Sequence, residues 1–357
     1  MAESERVLKT RMQGGAAAAQ STSKAVTLKA VAARVGLTAG TVSAVLNNSA
    51  AARSVPEHTK KRIVAAARAL DYRPNHFARS LRVRRTFTIG VIAVEIGDAY
   101  GSMLISGIEQ YLRKNNFFFL TVAHRHDKKL LETYSQLLIQ RGVEGIISID
   151  TQIGDVPRLP TVAIAGHGHT EGVTNVVLDQ RRAAELALRH LVELGHREIA
   201  FMKGSSYSSD AESRWKAVCE VARDLGLKMR PELIVQLEGF DPTPQLGYPP
   251  TRKLLAQKRP FTAVFAYNDI SAIGAIHALQ ESGLRVPEDV SVVGLDDIEI
   301  AVHYTPSLST VRQPLLKMGE TAARTLIEKL EGNDKHEQEI FIEPEFVVRK
   351  STAKVKG

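Results

Sequence analysis

From Thr86 onward the chain alternates short apolar runs with stretches of helical periodicity, and this alternation limits the fold more than any other feature. The runs are Ile89 to Val94, Phe117 to Ala123, Gly145 to Ile149, Thr161 to Ala165, Ile199 to Met202, Leu233 to Leu237, Ala263 to Ala266 and Val290 to Leu295. Strands that are apolar on both faces must be covered on both, and helices between them supply the cover. The pattern therefore predicts parallel sheet in an open α/β architecture. Eight such strands exceed one sheet of this topology, so two α/β lobes are expected. Open α/β sheets bind ligands beyond their strand ends, which makes a cleft shared by the lobes the expected ligand site.

The first 85 residues read differently. Leu28, Val31 and Val35 recur at helical spacing after Thr27, a helix-capping residue, and Val42, Val45 and Leu46 do the same after Thr38. Gly36 lies between them. Two short amphipathic helices joined by a turn containing glycine make a helix-turn-helix, whose second helix enters the major groove of DNA. A third helix is expected over Pro56 to Leu70, with Ile63, Ala66, Ala67 and Leu70 facing inward. Charge separates this reading from an ordinary helical hairpin. Residues 1–85 carry sixteen Lys and Arg against four Asp and Glu, whereas the whole chain has a net charge of +8. The basic excess sits on the small N-terminal segment, as a phosphate-binding surface requires.

Several short motifs then carry a family resemblance. Thr41-Val42-Ser43 with Leu46-Asn47, Tyr72-Arg73-Pro74-Asn75, Ala78-Arg79-Ser80-Leu81 and Ile89-Gly90-Val91 resemble, in order and spacing, the lactose-repressor/galactose-repressor (LacI/GalR) family of bacterial transcription regulators. The resemblance continues to about Thr352. It implies a helix-turn-helix head joined to a two-lobed effector domain of the periplasmic-binding-protein-like (type I) class. The expected organisation is an extension at 1–24, a head at 25–73, a hinge helix and linker at 74–85, and an effector-binding and dimerisation domain at 86–352. Lobe 1 would take about 86–178 and 309–342, and lobe 2 about 179–307 and 343–352. The chain would cross between lobes near Leu178, near Ser307 to Thr310 and near Ile342 to Glu345.

In the head, Thr27, Thr38, Thr41, Ser43 and Asn47 can reach phosphates or base edges. Ala39 and Gly40 occupy positions from which members of the family often read bases, and Ala44 stands where many carry an arginine. Base reading by side chains is thus sparse, and Arg53 in the following loop is a candidate for guanine or for phosphate. Lys60, Lys61 and Arg62 are expected beside the DNA backbone. Asn75 to Arg82 is too short to be a stable isolated helix. The resemblance implies a hinge there, with Asn75, Ala78, Arg79, Ser80, Leu81 and Arg82 in the minor groove and Leu81 wedged between base steps.

For the cleft, the resemblance implies that Arg214, Asn268 and Asp269 hold a small effector, joined by Asp98, Tyr100, His167, Phe240 and Asp241. A guanidinium opposite a carboxylate suits a ligand whose hydroxyls both donate and accept, so the effector class is a sugar or a nucleobase. The Asn268-Asp269 pair can equally be a helix N-cap. Ala165 replaces the aspartate of many sugar-responsive members, and Asp296-Asp297 is expected to cap and tie a strand end.

No Gly-x-Ser-x-Gly, phosphate-binding glycine loop or His-Glu-x-x-His occurs. No enzyme activity, metal or cofactor is expected. The histidines of His124-Arg125-His126-Asp127 and His167-Gly168-His169 read as solvated turns. Cys219 is the only cysteine, so no internal disulfide can form, and no apolar run approaches a membrane span. The expected protein is a cytoplasmic homodimer, a repressor of carbohydrate-related genes on a pseudo-palindromic operator. Two alternatives share the same fold: a solute-binding protein without gene regulation, and a regulator answering to a carrier protein instead of a small molecule.

Overall fold

The computed structural model describes residues 26–47, 49–73, 85–151, 159–165, 170–239, 242–333 and 337–356. They fall into two compact units, divided between Arg84 and Arg85. The expected extension at 1–24 lies outside the described residues. So do the hinge residues Asn75, Ala78, Arg79, Ser80, Leu81 and Arg82, and His167, Phe240 and Asp241 from the cleft.

In the first unit, α1 (Leu28–Val35) begins where the Thr27 hydroxyl accepts the Ala30 N–H, and it ends at Gly36 in the left-handed region, φ 68°. Glycine supports that conformation without a Cβ penalty, which is why the chain can turn there. Helix α2 (Ala39–Leu46) begins at Thr38, whose hydroxyl accepts the Thr41 N–H at 3.2 Å. The two helices are bent by 106°, within the range of a helix-turn-helix. A 3₁₀ turn, Ala50–Ser54, leads to α3 (Glu57–Ala69). Val31, Val35, Val42, Ile63 and Ala67 close the small core, and Ala66 and Leu70 pack at its edge. Arg62 is exposed, and its guanidinium also donates to the Val35 carbonyl at 3.2 Å, tying α3 to the end of α1.

The second unit holds two six-stranded sheets. The strands and helices in chain order are β1 (Thr88–Ala93), α4 (Ala99–Lys114), β2 (Phe118–Ala123), α5 (Lys128–Gln140), β3 (Gly145–Ile149), β4 (Thr161–Ile164) and β5 (Val173–Leu178). Next come α6 (Gln180–Glu193), β6 (Ile199–Lys203), α7 (Ala211–Asp224), β7 (Ile234–Gln236), α8 (Tyr248–Ala256), β8 (Ala263–Phe265), α9 (Asp269–Glu281) and β9 (Ser291–Asp296). The last are α10 (Glu299–His303), β10 (Ser309–Arg312), α11 (Leu315–Leu330), β11 (Glu339–Ile342) and β12 (Glu345–Val347). Lobe 1 has the order β11-β5-β4-β3-β1-β2 and lobe 2 the order β12-β10-β9-β8-β6-β7. Every pairing is parallel except β10 with β12. The chain passes to lobe 2 after Leu178 and again between Ile342 and Glu345.

The middle passage differs from expectation. Ser309 and Thr310 are fully buried in β10 of the second sheet, so the chain returns to lobe 1 only at Gln313-Pro314. Helix α11 then packs on α4 through two glycines. A Cβ on Gly319 would lie 2.1 Å from the Leu104 carbonyl oxygen, and one on Gly107 would lie 2.1 Å from that of Leu316. Among the described residues, no single helix is long and apolar enough to cross a membrane.

Candidate functional site

The ends of β1, β3, β6, β8 and β9 face one another across the two lobes and enclose a cavity of about 170 Å³. Lobe 1 contributes Glu95, Asp98, Tyr100, His126 and Asp150, and lobe 2 contributes Ser208, Asp210, Arg214, Tyr267, Asn268 and Asp296. Each lies at a strand end or on the first turn or two of the following helix, where open α/β sheets present ligand-binding groups.

Arg214 is the one cation of the wall that is deeply buried, 7% exposed. Its fork is occupied in three directions: Nε donates to Gln180 Oε1 at 3.1 Å, Nη1 to the Tyr267 carbonyl at 3.0 Å and Nη2 to Asp210 Oδ2 at 3.1 Å. Burial alone would depress its pKa, but Tyr267, Asp210 and Asp296 hold the guanidinium firmly protonated. The guanidinium also covers the Tyr267 ring, 4.5 Å from its centroid. That tyrosine's hydroxyl is hydrogen-bonded to Ser208 at 2.7 Å.

Carboxylates dominate the remaining wall. Burial pushes Asp296 well above the usual carboxylate range, against the pull of Arg214, and Gln313 Nε2 donates to its Oδ1 at 2.6 Å. Asp98 is raised by burial, and it caps α4 by accepting the Gly101 N–H at 3.0 Å. Burial raises the Tyr100 hydroxyl, and the charges of Asp210, Asp150 and Asp296 raise it further. It stays an O–H donor at neutral pH. Asn268 caps α9 with Oδ1 accepting from Ser271 at 3.0 Å, in a capping box. Asn268 also lines the cavity.

Asp269 is not in the cavity wall, which corrects the assignment made from sequence. It has no exposed surface; Oδ1 accepts from the Thr310 hydroxyl at 2.5 Å and Oδ2 from the Ile298 N–H at 2.9 Å. Both oxygens are thus committed to joining α9, β10 and the loop after β9. Asp296 lines the cavity instead, and Asp297 does the tying, holding Arg312 at 2.7 Å and Arg349 at 2.6 Å. The His124 to Asp127 segment is a turn with Arg125 and Asp127 exposed, but its histidines are not simply solvated. His124 is buried with Nε2 2.9 Å from the Thr151 hydroxyl, and His126 lines the cavity. Asp150 and Asp210 also line the cavity without having been singled out; Asp150 directly follows a run legible as a strand, whereas Asp210 stands at the start of α7.

In the head, Thr27, Thr38, Gly40 and Arg53 are exposed, and the Thr38 and Thr41 hydroxyls are 2.9 Å apart at the start of α2. Ser43 turns inward: it is 5% exposed, and Asn47 Nδ2 donates to its carbonyl at 2.8 Å. Ala39 packs at the edge of the core, and Asn47 is half-buried. The outward group is therefore the N-terminal end of α2 with Arg53 in the turn beyond it.

Comparison with known proteins decides the family. Residues 27–75 match bacterial regulatory proteins of the lacI family, and residues 188–352 match the periplasmic binding protein-like domain. Over 337 residues, 92% of this chain and 97% of the relative, the sequence is 34% identical to the HTH-type transcriptional repressor PurR of Erwinia tasmaniensis. This chain belongs to the LacI family of bacterial regulatory proteins. The family's architecture extends over almost the whole length. The lac repressor dimer bound to operator and the anti-inducer ONPF superposes with a TM-score of 0.82 at 26% identity, covering 92% of this chain and 100% of that one. The transcriptional regulator CelR in complex with cellobiose superposes with a TM-score of 0.69 at 28% identity, covering 91% and 99%. Like other LacI family members, the chain is a DNA-binding transcription regulator of the repressor type, not an enzyme.

Proposed function

We infer that this LacI family repressor acts as a homodimer on a pseudo-palindromic operator of carbohydrate-related genes, and that its cleft takes an uncharged, hydroxyl-rich ligand about one ring in size. The cavity wall carries the argument. Five carboxylates line it, and the guanidinium of Arg214 is already occupied by Asp210, Gln180 and the Tyr267 carbonyl. An anionic effector would find the buried guanidinium already engaged, whereas carboxyl groups that burial shifts toward the protonated form can both donate to and accept from neutral hydroxyls. A polyol instead offers O–H donors to Asp150, Asp210 and Asp296 and acceptors to Arg214, Asn268 and Tyr100. Size points the same way, since an apolar cavity of roughly 150 Å³ holds a benzene ring. The Tyr267 ring is not open for a flat nucleobase to stack on, since the guanidinium lies over it and Gly204 packs closely against it. The CelR–cellobiose complex shows a sugar ligand in a relative with this architecture.

On DNA, the start of α2 with Thr38, Gly40 and Thr41 approaches the major groove while Thr27 and Arg53 take phosphates or guanine. Asn75, Ala78, Arg79, Ser80, Leu81 and Arg82 form the hinge in the minor groove, with Leu81 as the wedge. A dimer doubles the few contacts that one short helix makes, as in the operator-bound lac repressor dimer. The effector acts by favouring one angle between the lobes, which biases hinge order by a few kcal/mol.

A thermal-shift panel on the purified protein tests the cleft. Neutral monosaccharides, their phosphates and free nucleobases are compared at equal concentration. A matching neutral sugar at about 100 times its Kd stabilises by about 2.7 kcal/mol, a rise of roughly 5–10 °C for a unit of this size. Stabilisation by sugar phosphates or nucleobases, with neutral sugars silent, would overturn the assignment.

A further inference from the structure

Ser209 lies between β6 and α7, on the lobe 2 side of the cleft. Its N–H donates to Asp150 Oδ1 at 3.0 Å, and its hydroxyl stands 2.5 Å from the same oxygen and also against the Ala165 carbonyl. Asp150 and Ala165 directly follow β3 and β4, adjacent strands of lobe 1. One residue of lobe 2 is therefore bonded to the ends of two neighbouring strands of the opposite lobe.

The recipients have unusual backbones. Asp150 has φ 46° and Ala165 φ 51°, left-handed values that non-glycine residues keep only where their surroundings hold them. Asp150 lines the cavity, whereas Ser209 does not. The same loop makes a second crossing, the Tyr207 ring standing 5.2 Å from that of His126 in lobe 1. Tyr207 is 52% exposed, so that contact lies at the solvent edge, where it adds little. Ser209 makes the half-buried one. A single hydroxyl proton serves one acceptor at a time, so the side chain and the N–H together make two good bonds at once, shared between two acceptor atoms.

We propose that Ser209 is a positioning residue of the effector site: it fixes the Asp150 carboxylate in the cavity wall and, through it, holds the two lobes together before an effector arrives. This rests on reading the cleft as the effector site. A chain lacking the bond would populate the assembled cavity only part of the time, and its apparent effector affinity would fall by that fraction. It also gives Ala165 a use that needs no side chain, because the carbonyl is the group employed.

Single-molecule energy transfer on the full-length protein tests this without any ligand. Dyes go on Gln110→Cys in α4 and Lys228→Cys beyond α7, both exposed, in a Cys219→Ser background, with labelled protomers diluted into unlabelled protein. The unmodified residue and Ser209→Thr, which keeps the hydroxyl, should each give one compact population. Ser209→Ala, which keeps only the N–H bond to Asp150, and Asp150→Ala, which keeps only the hydroxyl bond to the Ala165 carbonyl, should each add a second population with lower transfer, with the melting transition of the effector domain unchanged. Distributions for Ser209→Ala and Asp150→Ala identical to the unmodified protein would overturn the proposal, as would Ser209→Thr behaving like Ser209→Ala. Failure of the effector reading would appear elsewhere, as a ligand panel that stabilises nothing.

Discussion

Asp269 and Asp296 are both buried in lobe 2, and their surroundings give them different work. Asp269 has its pKa pushed up to about 6 by burial, with the bonds from Thr310 and Ile298 pulling the other way. Its ordinary value is 3.8, so between those two pH values the folded chain binds more protons than the unfolded one. Stability from this group is therefore greatest at acid pH, falls as pH rises through about 6, and the full cost above that is on the order of 3 kcal/mol. Asp269→Asn removes the titration; its Oδ1 can still accept from the Ile298 N–H and its NH₂ can donate to the Thr310 hydroxyl oxygen, but the Thr310 proton then loses its buried acceptor, at a cost of about 1–3 kcal/mol. Urea unfolding from pH 4 to 7 should show the variant most destabilised at pH 4, with the deficit shrinking toward pH 7. A deficit that grows with pH would mean the ionised carboxylate is favoured by the fold. The same pair shows where residue-level reading stops. Asp269 and Asp296 both stand at the ends of apolar runs, so both look ligand-facing or capping. What separates them is Thr310, which claims Asp269, and Thr310 belongs to a strand whose sequence, Ser309-Thr310-Val311-Arg312, gives no apolar run.

Elements were legible wherever burial required continuous apolar residues. The eight runs read from sequence are all strands, with ends shifted by a residue or two, and the helix-turn-helix follows from caps at Thr27 and Thr38 and the turn at Gly36. The other four strands were obscured for separate physical reasons. β5 buries Thr174 and Asn175 among valines, β10 is largely polar, and β11 and β12 are short edge strands with exposed alternate residues. Missing β10 as a strand is what moved the second crossing too early. Helix packing was equally hidden, because two glycines far apart in sequence look unremarkable until α4 and α11 meet. At Gly319 the added methyl would strike backbone, which cannot rotate away as a flexible side chain can. Gly319→Ala should cost at least about 2–3 kcal/mol, read as a lower urea midpoint for the effector domain. A change below about 0.5 kcal/mol, the ordinary range for a surface site, would show that the helices separate easily.

At the scale of the whole molecule, charge and architecture divide the labour. The first 85 residues carry the basic excess, and the remainder is slightly acidic, so the DNA-seeking field originates in the head. The head's recognition surface is small, and the residues that commonly read bases are Ala39 and Gly40 here, so specificity depends on two heads and the hinge acting together. The measurement that tests this most directly is selection of bound sequences from a random duplex pool by the purified full-length protein, with affinities for the selected and a scrambled duplex repeated across a range of salt. The account predicts an enriched palindrome with a flexible pyrimidine–purine step at its centre, bound at least about a thousandfold more tightly than the scrambled duplex at physiological salt. Equal, steeply salt-dependent binding to both duplexes would contradict it, because only the phosphate charge would then be recognised.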